Sequence, residues 1–257
     1  MGIVVALKGT IGAEARRASI LSLALGSGGV ALDTAAGTFD VHPMTIRRDF
    51  DALEKSGKVR RVRGGIVSVA DFPVDVRRTQ NRAAKRAIAA KILPLIPASS
   101  TIGLDASTTA VAVAEALGLD RQLTVITNGL YCFDLLTRNP SVRAYLTGGE
   151  REKRNESLVG FLAQQAFGTF HLDLSIVSAM GVHSKSGTSE STLAQAAVKD
   201  SLSRASRSLI LAVDSSKLQC QSSVRALSLD RVTTLVTELA PGDALLDPFR
   251  DLVDVVL

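Results

Sequence analysis

The sequence predicts two domains of unlike class: a small helical module ending in a β-hairpin, and a larger α/β domain built on an open, mainly parallel sheet. Three observations carry this. From Ala83 onward, apolar runs alternate with helix-period patterns, the signature of βαβ units. Before Gly57, three short helical patterns crowd into under 45 residues, followed by two β-rich runs split by Gly64-Gly65. The 257 residues carry a net charge of +5, but residues 1–92 hold 16 basic and 8 acidic side chains, so the amino-terminal third is cationic and the remainder net acidic.

The elements follow in order. Arg16–Leu25 reads as a helix with Ile20, Leu23 and Ala24 at core spacing, stopped by Gly26-Ser27-Gly28-Gly29. A second helix spans about Leu32–Thr38. The third runs from Pro43, suited to a first turn, to Gly57, suited to a C-terminal stop. Its residues Ile46, Phe50 and Leu53 lie at i, i+4 and i+7 and face a core, which turns Thr45, Arg47 and Arg48 elsewhere. Lys58–Val69 is a hairpin with four cations and no anion in residues 58–63. The small domain is therefore residues 14–69, and residues 70–82, with Pro73 and mixed charge, read as a linker. In the α/β domain, residues 83–257, a helix over 83–93 leads into strands Thr101–Leu104, Leu123–Thr127, Arg143–Leu146, Leu172–Ser178, Ser208–Val213 and Thr233–Thr237. Helices fall near 108–117, 130–138, 157–168, 190–206 and 243–254.

Several function classes drop out. Cys132 and Cys220 stand alone, without a CxxC pairing, which excludes a disulfide framework or zinc ribbon and fits a reducing cytoplasm. His42, His171 and His183 lack metal-ligand spacing, so neither a metal nor a cofactor is expected. No apolar run approaches the roughly 20 residues that cross a bilayer, and Ile3–Leu7 is too short for a signal-peptide core. Gly26–Ala31 fits a loose dinucleotide pattern, but a helix rather than a strand precedes it, so it reads as a turn. No nucleophile elbow or Walker lysine is present, and nothing compels an enzyme.

Two candidate sites remain. Between Pro43 and Arg63 lie seven basic and three acidic residues, on a helix-turn-helix and an adjacent basic wing that suit duplex DNA. Met44, Thr45, Arg47 and Arg48 are the candidates for the groove, and Arg60, Arg61 and Arg63 for the backbone or minor groove. A solvated basic face on a structural helix is the bland alternative. The second site is Asp105-Ala106-Ser107-Thr108-Thr109 between a strand and a helix, where hydroxyls and free N–H groups suit a phosphate, although Ser and Thr are also ordinary N-caps. Thr127-Asn128-Gly129, Gly148-Gly149-Glu150 and Asp214-Ser215-Ser216-Lys217 follow other strands and share that edge. Lys217 offers a cation.

Met44-Thr45-Ile46-Arg47-Arg48-Asp49, Leu53-Glu54-x-x-Gly57 and Arg60-Arg61-Val62-Arg63-Gly64-Gly65 resemble the DeoR family of bacterial transcriptional regulators. The resemblance covers about residues 16–240 and extends to the second domain through Leu104-Asp105-x-Ser107-Thr108-Thr109, Val125-x-Thr127-Asn128, Leu146-x-Gly148-Gly149, Leu158-Val159-Gly160, Lys199 and Asp214-Ser215-Ser216-Lys217. It implies a winged helix-turn-helix joined to a domain similar to ribose-5-phosphate isomerase and CoA transferases. Such a domain binds a phosphorylated sugar or polyol and typically relieves repression of carbohydrate genes. Three positions depart from the family pattern. Arg63 stands where the family usually has His, Ser107 where Gly is commoner, and Met180, in Ser178-Ala179-Met180-Gly181, where many relatives carry an acid. Loss of that acid argues against an isomerase with an auxiliary nucleic-acid module, the rival reading. RNA binding is disfavoured because no stacking aromatics interleave the basic segment. A cytoplasmic repressor acting on a double-stranded operator is expected, as a homo-oligomer of at least two copies, since helix-turn-helix dimers read paired half-sites.

Overall fold

The computed structural model describes residues 12–27, 29–68 and 74–257. The chain divides into two compact units, Met1–Phe72 and Pro73–Leu257. In the first, helices α1 (Ala13–Ser27), α2 (Leu32–Phe39) and α3 (Pro43–Lys55) pack with a three-stranded antiparallel sheet of β1 (Gly29–Ala31), β2 (Val59–Val62) and β3 (Gly65–Ser68), in the order β1-β3-β2. Ile46, Phe50 and Leu53 are buried as the period predicts, against Ile20, Leu21, Ala24, Val30 and Ile66. Leu23 is instead 43% exposed, and Leu21 takes the place it was expected to fill.

Strand β1 escaped the sequence reading because three residues carry no periodicity. It pairs with the wing, Ala31 opposite Gly65, and a Cβ on Gly65 would lie 2.3 Å from the Val30 carbonyl. The hairpin turn is accordingly Arg63-Gly64, with Gly64 at φ +87°, while Gly65 already belongs to β3 opposite Val62. Beneath the sheet, Arg16 Nε donates to Asp49 Oδ2 at 2.6 Å, a buried pair tying α1 to α3.

The second unit is three-layered. Strands β4 (Thr101–Leu104), β5 (Leu123–Thr127), β6 (Val142–Leu146), β9 (Leu172–Val177), β12 (Ser206–Ala212), β14 (Thr234–Val236) and β15 (Val255–Val256) form one parallel sheet in the order β15-β14-β12-β9-β4-β5-β6. Helices α5 (Arg82–Ile92), α6 (Thr108–Ala116) and α7 (Leu130–Leu136) cover one face, burying Ile88, Ile92, Val113 and Leu136 on Ile102, Leu104, Val125 and Ile176. Helices α8 (Phe161–Gly168) and α9 (Leu193–Ala205) cover the other through Ala163, Phe167, Val198 and Leu202. Burial on both faces is why these strands read as continuous apolar runs.

Several predicted elements are corrected. The stretch read as a linker holds α4 (Val74–Thr79) and the start of α5, and its residues 70–73 lie outside the described ones. The helix expected over 157–168 begins at Phe161, because Ser157–Val159 is β8, paired with β7 (Glu150–Glu152). The one expected from 190 begins at Leu193, because Gly187–Glu190 is β11, flanked by β10 (Gly181–His183) and β13 (Val224–Arg225). All four β11 residues are buried and three are polar, so no alternation signals a strand. The helix expected over 243–254 is a 3₁₀ segment, Ala244–Phe249, that contains Pro248 and gives way to β15, since proline has no N–H for a continuing helix.

Candidate functional site

In the first unit, Pro43 opens α3, and the His42 Nδ1 accepts the Met44 N–H at 3.2 Å, capping the helix. With Ile46, Asp49, Phe50 and Leu53 turned inward, Met44, Arg47 and Arg48 are exposed and Thr45 is half-buried. Arg47 Nη1 lies 3.3 Å from the Met44 sulfur, so these two side chains share one open patch. Strand alternation sorts the wing. Arg60 and Val62 point outward and Arg63 is exposed at the turn, whereas Arg61 folds back on α3. The Arg61 N–H donates to Glu54 Oε1 at 2.8 Å, and its guanidinium sits 5.4 Å from the Phe50 ring centre and 3.7 Å from Asp51. Arg47, Arg48, Arg60 and Arg63 thus stand on open surface, and Arg61 braces the wing against the helix.

In the second unit, strand order reverses at β4, whose neighbours are β5 on one side and β9 on the other. Ligands of open α/β sheets gather in the crevice at such a switch, outside the strand carboxyl ends. The structure sets Asp105 there, with 1% of its surface exposed. Its Oδ1 accepts the Ser107 N–H at 3.0 Å, and its Oδ2 accepts the Ser178 N–H at 2.9 Å and lies 2.8 Å from Lys199 Nζ. Lys199, from α9, also donates to the Ser178 carbonyl and pairs with Glu190 Oε1 at 2.8 Å. Burial pushes the Glu190 carboxyl up, and the two flanking carboxylates hold the Lys199 ammonium above its ordinary value despite burial.

The other predicted residues surround this centre unequally. Ser107 caps α6, its Oγ accepting the Ala110 N–H at 3.0 Å, and Thr108 and Thr109 are buried in the first turn. The Thr127 hydroxyl is committed to the Gly129 N–H at 3.0 Å. Asn128 donates to the Leu158 carbonyl at 3.0 Å, and among the described residues neither its buried Oδ1 nor the buried Thr147 Oγ1 at the end of β6 has a hydrogen-bond partner. Gly148 and Gly149 are exposed beyond Thr147. Lys217 lies past β12, two strands from β4, where the Asp214 side chain caps its turn. A cleft of about 370 Å³ opens beside the centre, between α4, α5 and α6, lined among others by Arg78, Arg82, Lys85, Arg86 and Thr108. Among the described residues no cluster of three or more His, Cys, Asp or Glu could hold a metal, and no helix is long and apolar enough to cross a membrane.

Residues 16–72 match the DeoR-like helix-turn-helix domain, and residues 80–239 match the DeoR C terminal sensor domain. The chain belongs to the DeoR family. Among its relatives, the HTH-type transcriptional regulator GolR of Listeria innocua is 33% identical, over 82% of this chain and 85% of that one. The glycerol-3-phosphate regulon repressor of Escherichia coli is 29% identical, over 92% and 95%. Among solved structures, ribose 5 phosphate isomerase A from Neisseria gonorrhoeae overlaps 54% of this chain and 53% of its own at 20% identity, with a TM-score of 0.37.

In this DeoR sensor unit the sequence reading missed Glu190 as a member of the centre and took Lys199 only as part of a resemblance. Glu190 was hidden because its strand reads as the start of a helix. The sequence reading weighed the acid replaced by Met180 without seeing the carboxylates that the fold places elsewhere. Met180 is buried, and Asp105 and Glu190 supply two carboxylates from β4 and β11. Cys132, under Asp105, is wholly buried and its thiol is pushed up by that burial, which makes it an inert packing residue.

Proposed function

We propose that this DeoR-family regulator binds operator DNA through Met44, Thr45, Arg47 and Arg48 on α3 and through Arg60 and Arg63 on the wing. Its sensor unit binds a phosphorylated sugar or polyol and so controls carbohydrate genes, acting as a repressor in the cytoplasm, as a homo-oligomer and without turnover. The relative named for glycerol 3-phosphate supports a ligand of that class. One observation carries the sensor reading. A cleft at the amino end of α6 is lined by Thr108 together with Arg78, Arg82, Lys85 and Arg86, cations and a hydroxyl that suit a phosphorylated ligand. Asp105, Ser107, Thr108, Thr109, Asn128, Gly148, Gly149 and Lys217 remain the proposed ligand shell. Thr127 shapes it from behind.

Thermal denaturation with a panel of sugar and polyol phosphates tests this. A ligand at 100 times its Kd should raise stability by about 2.7 kcal/mol, and Lys217→Gln or Thr108→Val should abolish the shift. A panel with no hit sinks the sensor reading. The wing makes its own prediction. Arg60→Ala and Arg63→Ala should each lower the slope of log affinity against log salt by about 0.9, with Arg61→Ala leaving it nearly unchanged. Gel-shift titrations from 50 to 200 mM salt read this directly.

The Asp105–Lys199–Glu190 centre also favours a second reading, an isomerase acting on the same ligand, because a lysine between two carboxylates can move protons. Turnover of ribose 5-phosphate by the wild type and its loss in Glu190→Gln would support that reading. Binding without turnover supports the regulator alone.

A further inference from the structure

Helix α4 is six residues long, too short to persist by propensity, so its place is set by what it touches. Val74 is buried, and its N–H donates to the Arg154 carbonyl at 3.0 Å. Asp75 accepts a hydrogen bond from the Tyr131 hydroxyl, and Arg78 lies 4.4 Å over the Tyr131 ring. The carbonyls at the far end are held by the buried Lys85, whose Nζ donates to Arg77 O at 2.6 Å and Gln80 O at 2.8 Å. Every one of these contacts stays within the sensor unit, although α4 is the first described element after the DNA-binding unit, separated from β3 by residues 69–73.

The other α4 arginine, Arg77, reaches the β7–β8 turn instead. It donates to Asn155 Oδ1 there. Asn155 bonds Glu152, Glu152 Oε2 accepts from Gln195 Nε2 at 2.9 Å, and Gln195 stands on α9 one turn before Lys199. Burial and then Arg154 push the Arg77 guanidinium below its ordinary value, and Glu190, Glu152 and Asp105 offset this only in part. Arg77 on α4 is thus joined to α9 through Asn155, Glu152 and Gln195, while Asp75, Arg78 and Thr79 of the same helix line the cleft that Thr108 also borders.

Resting on the sensor reading above, we propose that α4 is a wall of the effector site. Arg77 helps hold the ligand's anionic end, and occupancy sets how α4 is docked, which transmits the ligand's presence to the DNA-binding unit through the adjoining chain. The physical reason is competition. An entering phosphate draws Arg77 from Asn155, and a six-residue helix, held by a handful of side-chain contacts at its ends, shifts its docking with it.

The test separates ligand contact from coupling, with ribose 5-phosphate and glycerol 3-phosphate as probes and a duplex selected by the protein from a random pool as the DNA. Arg77→Ala should weaken probe binding at least tenfold, with Arg77→Lys recovering part of it. Tyr131→Phe and Asp75→Ala each remove the Tyr131–Asp75 hydrogen bond at the exposed end of α4. They should keep probe affinity within about threefold yet cut the logarithm of the ligand-induced change in DNA affinity by at least half. Wild-type probe binding in Arg77→Ala overturns the contact, and unchanged coupling in the two anchor variants overturns the transmission. Should neither probe bind the wild type, the sensor reading fails and the contact with it. Transmission is then decided without ligand, where the anchor variants should shift DNA affinity at least fivefold, and no shift overturns it.

Discussion

Lys199→Met should lower the unfolding free energy of the sensor unit by about 3–5 kcal/mol at neutral pH, because it leaves two carboxylates buried together without their cation. Asp105 and Glu190 are both under 5% exposed, so water cannot replace the ammonium. The pH dependence has a definite sign. Burial already pushes Glu190 up in the folded state, and removal of Lys199 pushes it further. The folded variant then binds more protons than the unfolded chain at pH values above the ordinary carboxylate range, so its stability rises as pH falls toward that range. Urea titrations at pH 7 and pH 5 should show the deficit shrinking on acidification. Addition of Glu190→Gln to Lys199→Met should recover part of it at pH 7. A deficit under 1 kcal/mol would mean that the centre is solvated and is not the closed ion cluster described here.

Arg16→Met should cost the DNA-binding unit a similar amount, about 3–5 kcal/mol, by leaving the Asp49 carboxylate buried without its cation. This pair is the polar anchor between α1 and the helix that carries Arg47 and Arg48, and its side chains are 10% and 5% exposed. DNA affinity should fall with stability, although Arg16 is not among the residues proposed to touch DNA. Asp49→Asn, which keeps the shape and a hydrogen-bonding oxygen, should cost less. Circular dichroism melts paired with gel shifts would check both. If Arg16→Met bound DNA normally with an unchanged melt, the pair would be dispensable.

Much of the small unit was legible because its signals are local. The stripe Ile46, Phe50 and Leu53, Pro43 at the helix start and Gly64 at the wing turn act within a turn or a hairpin and fell where expected, while Gly65 joined β3 instead of the turn. Arg61 could not be sorted from Arg60 by charge alone. Strand alternation and the Phe50 ring decided that Arg61 faces α3. In the sensor unit six strands of the parallel sheet were legible from apolar runs, but β10, β11 and β13 were not, since they are only two to four residues long and the buried residues of β11 are mostly polar. Met180 drew attention as a lost acid while Glu190 passed unnoticed ten residues later, and only the folded chain carries that carboxylate to Lys199.

By itself the sequence determined the two-unit plan, the parallel sheet, the cationic helix and wing, and the loop after β4, each encoded in patterns shorter than twenty residues. The tertiary structure decided which charges meet. Asp105, Glu190 and Lys199 converge, Arg16 finds Asp49, and α4 folds onto the sensor unit from a stretch that looks like linker. The reason is that a buried charge is tolerated only beside a partner, and that partner is chosen by strand order and helix packing rather than by distance along the chain.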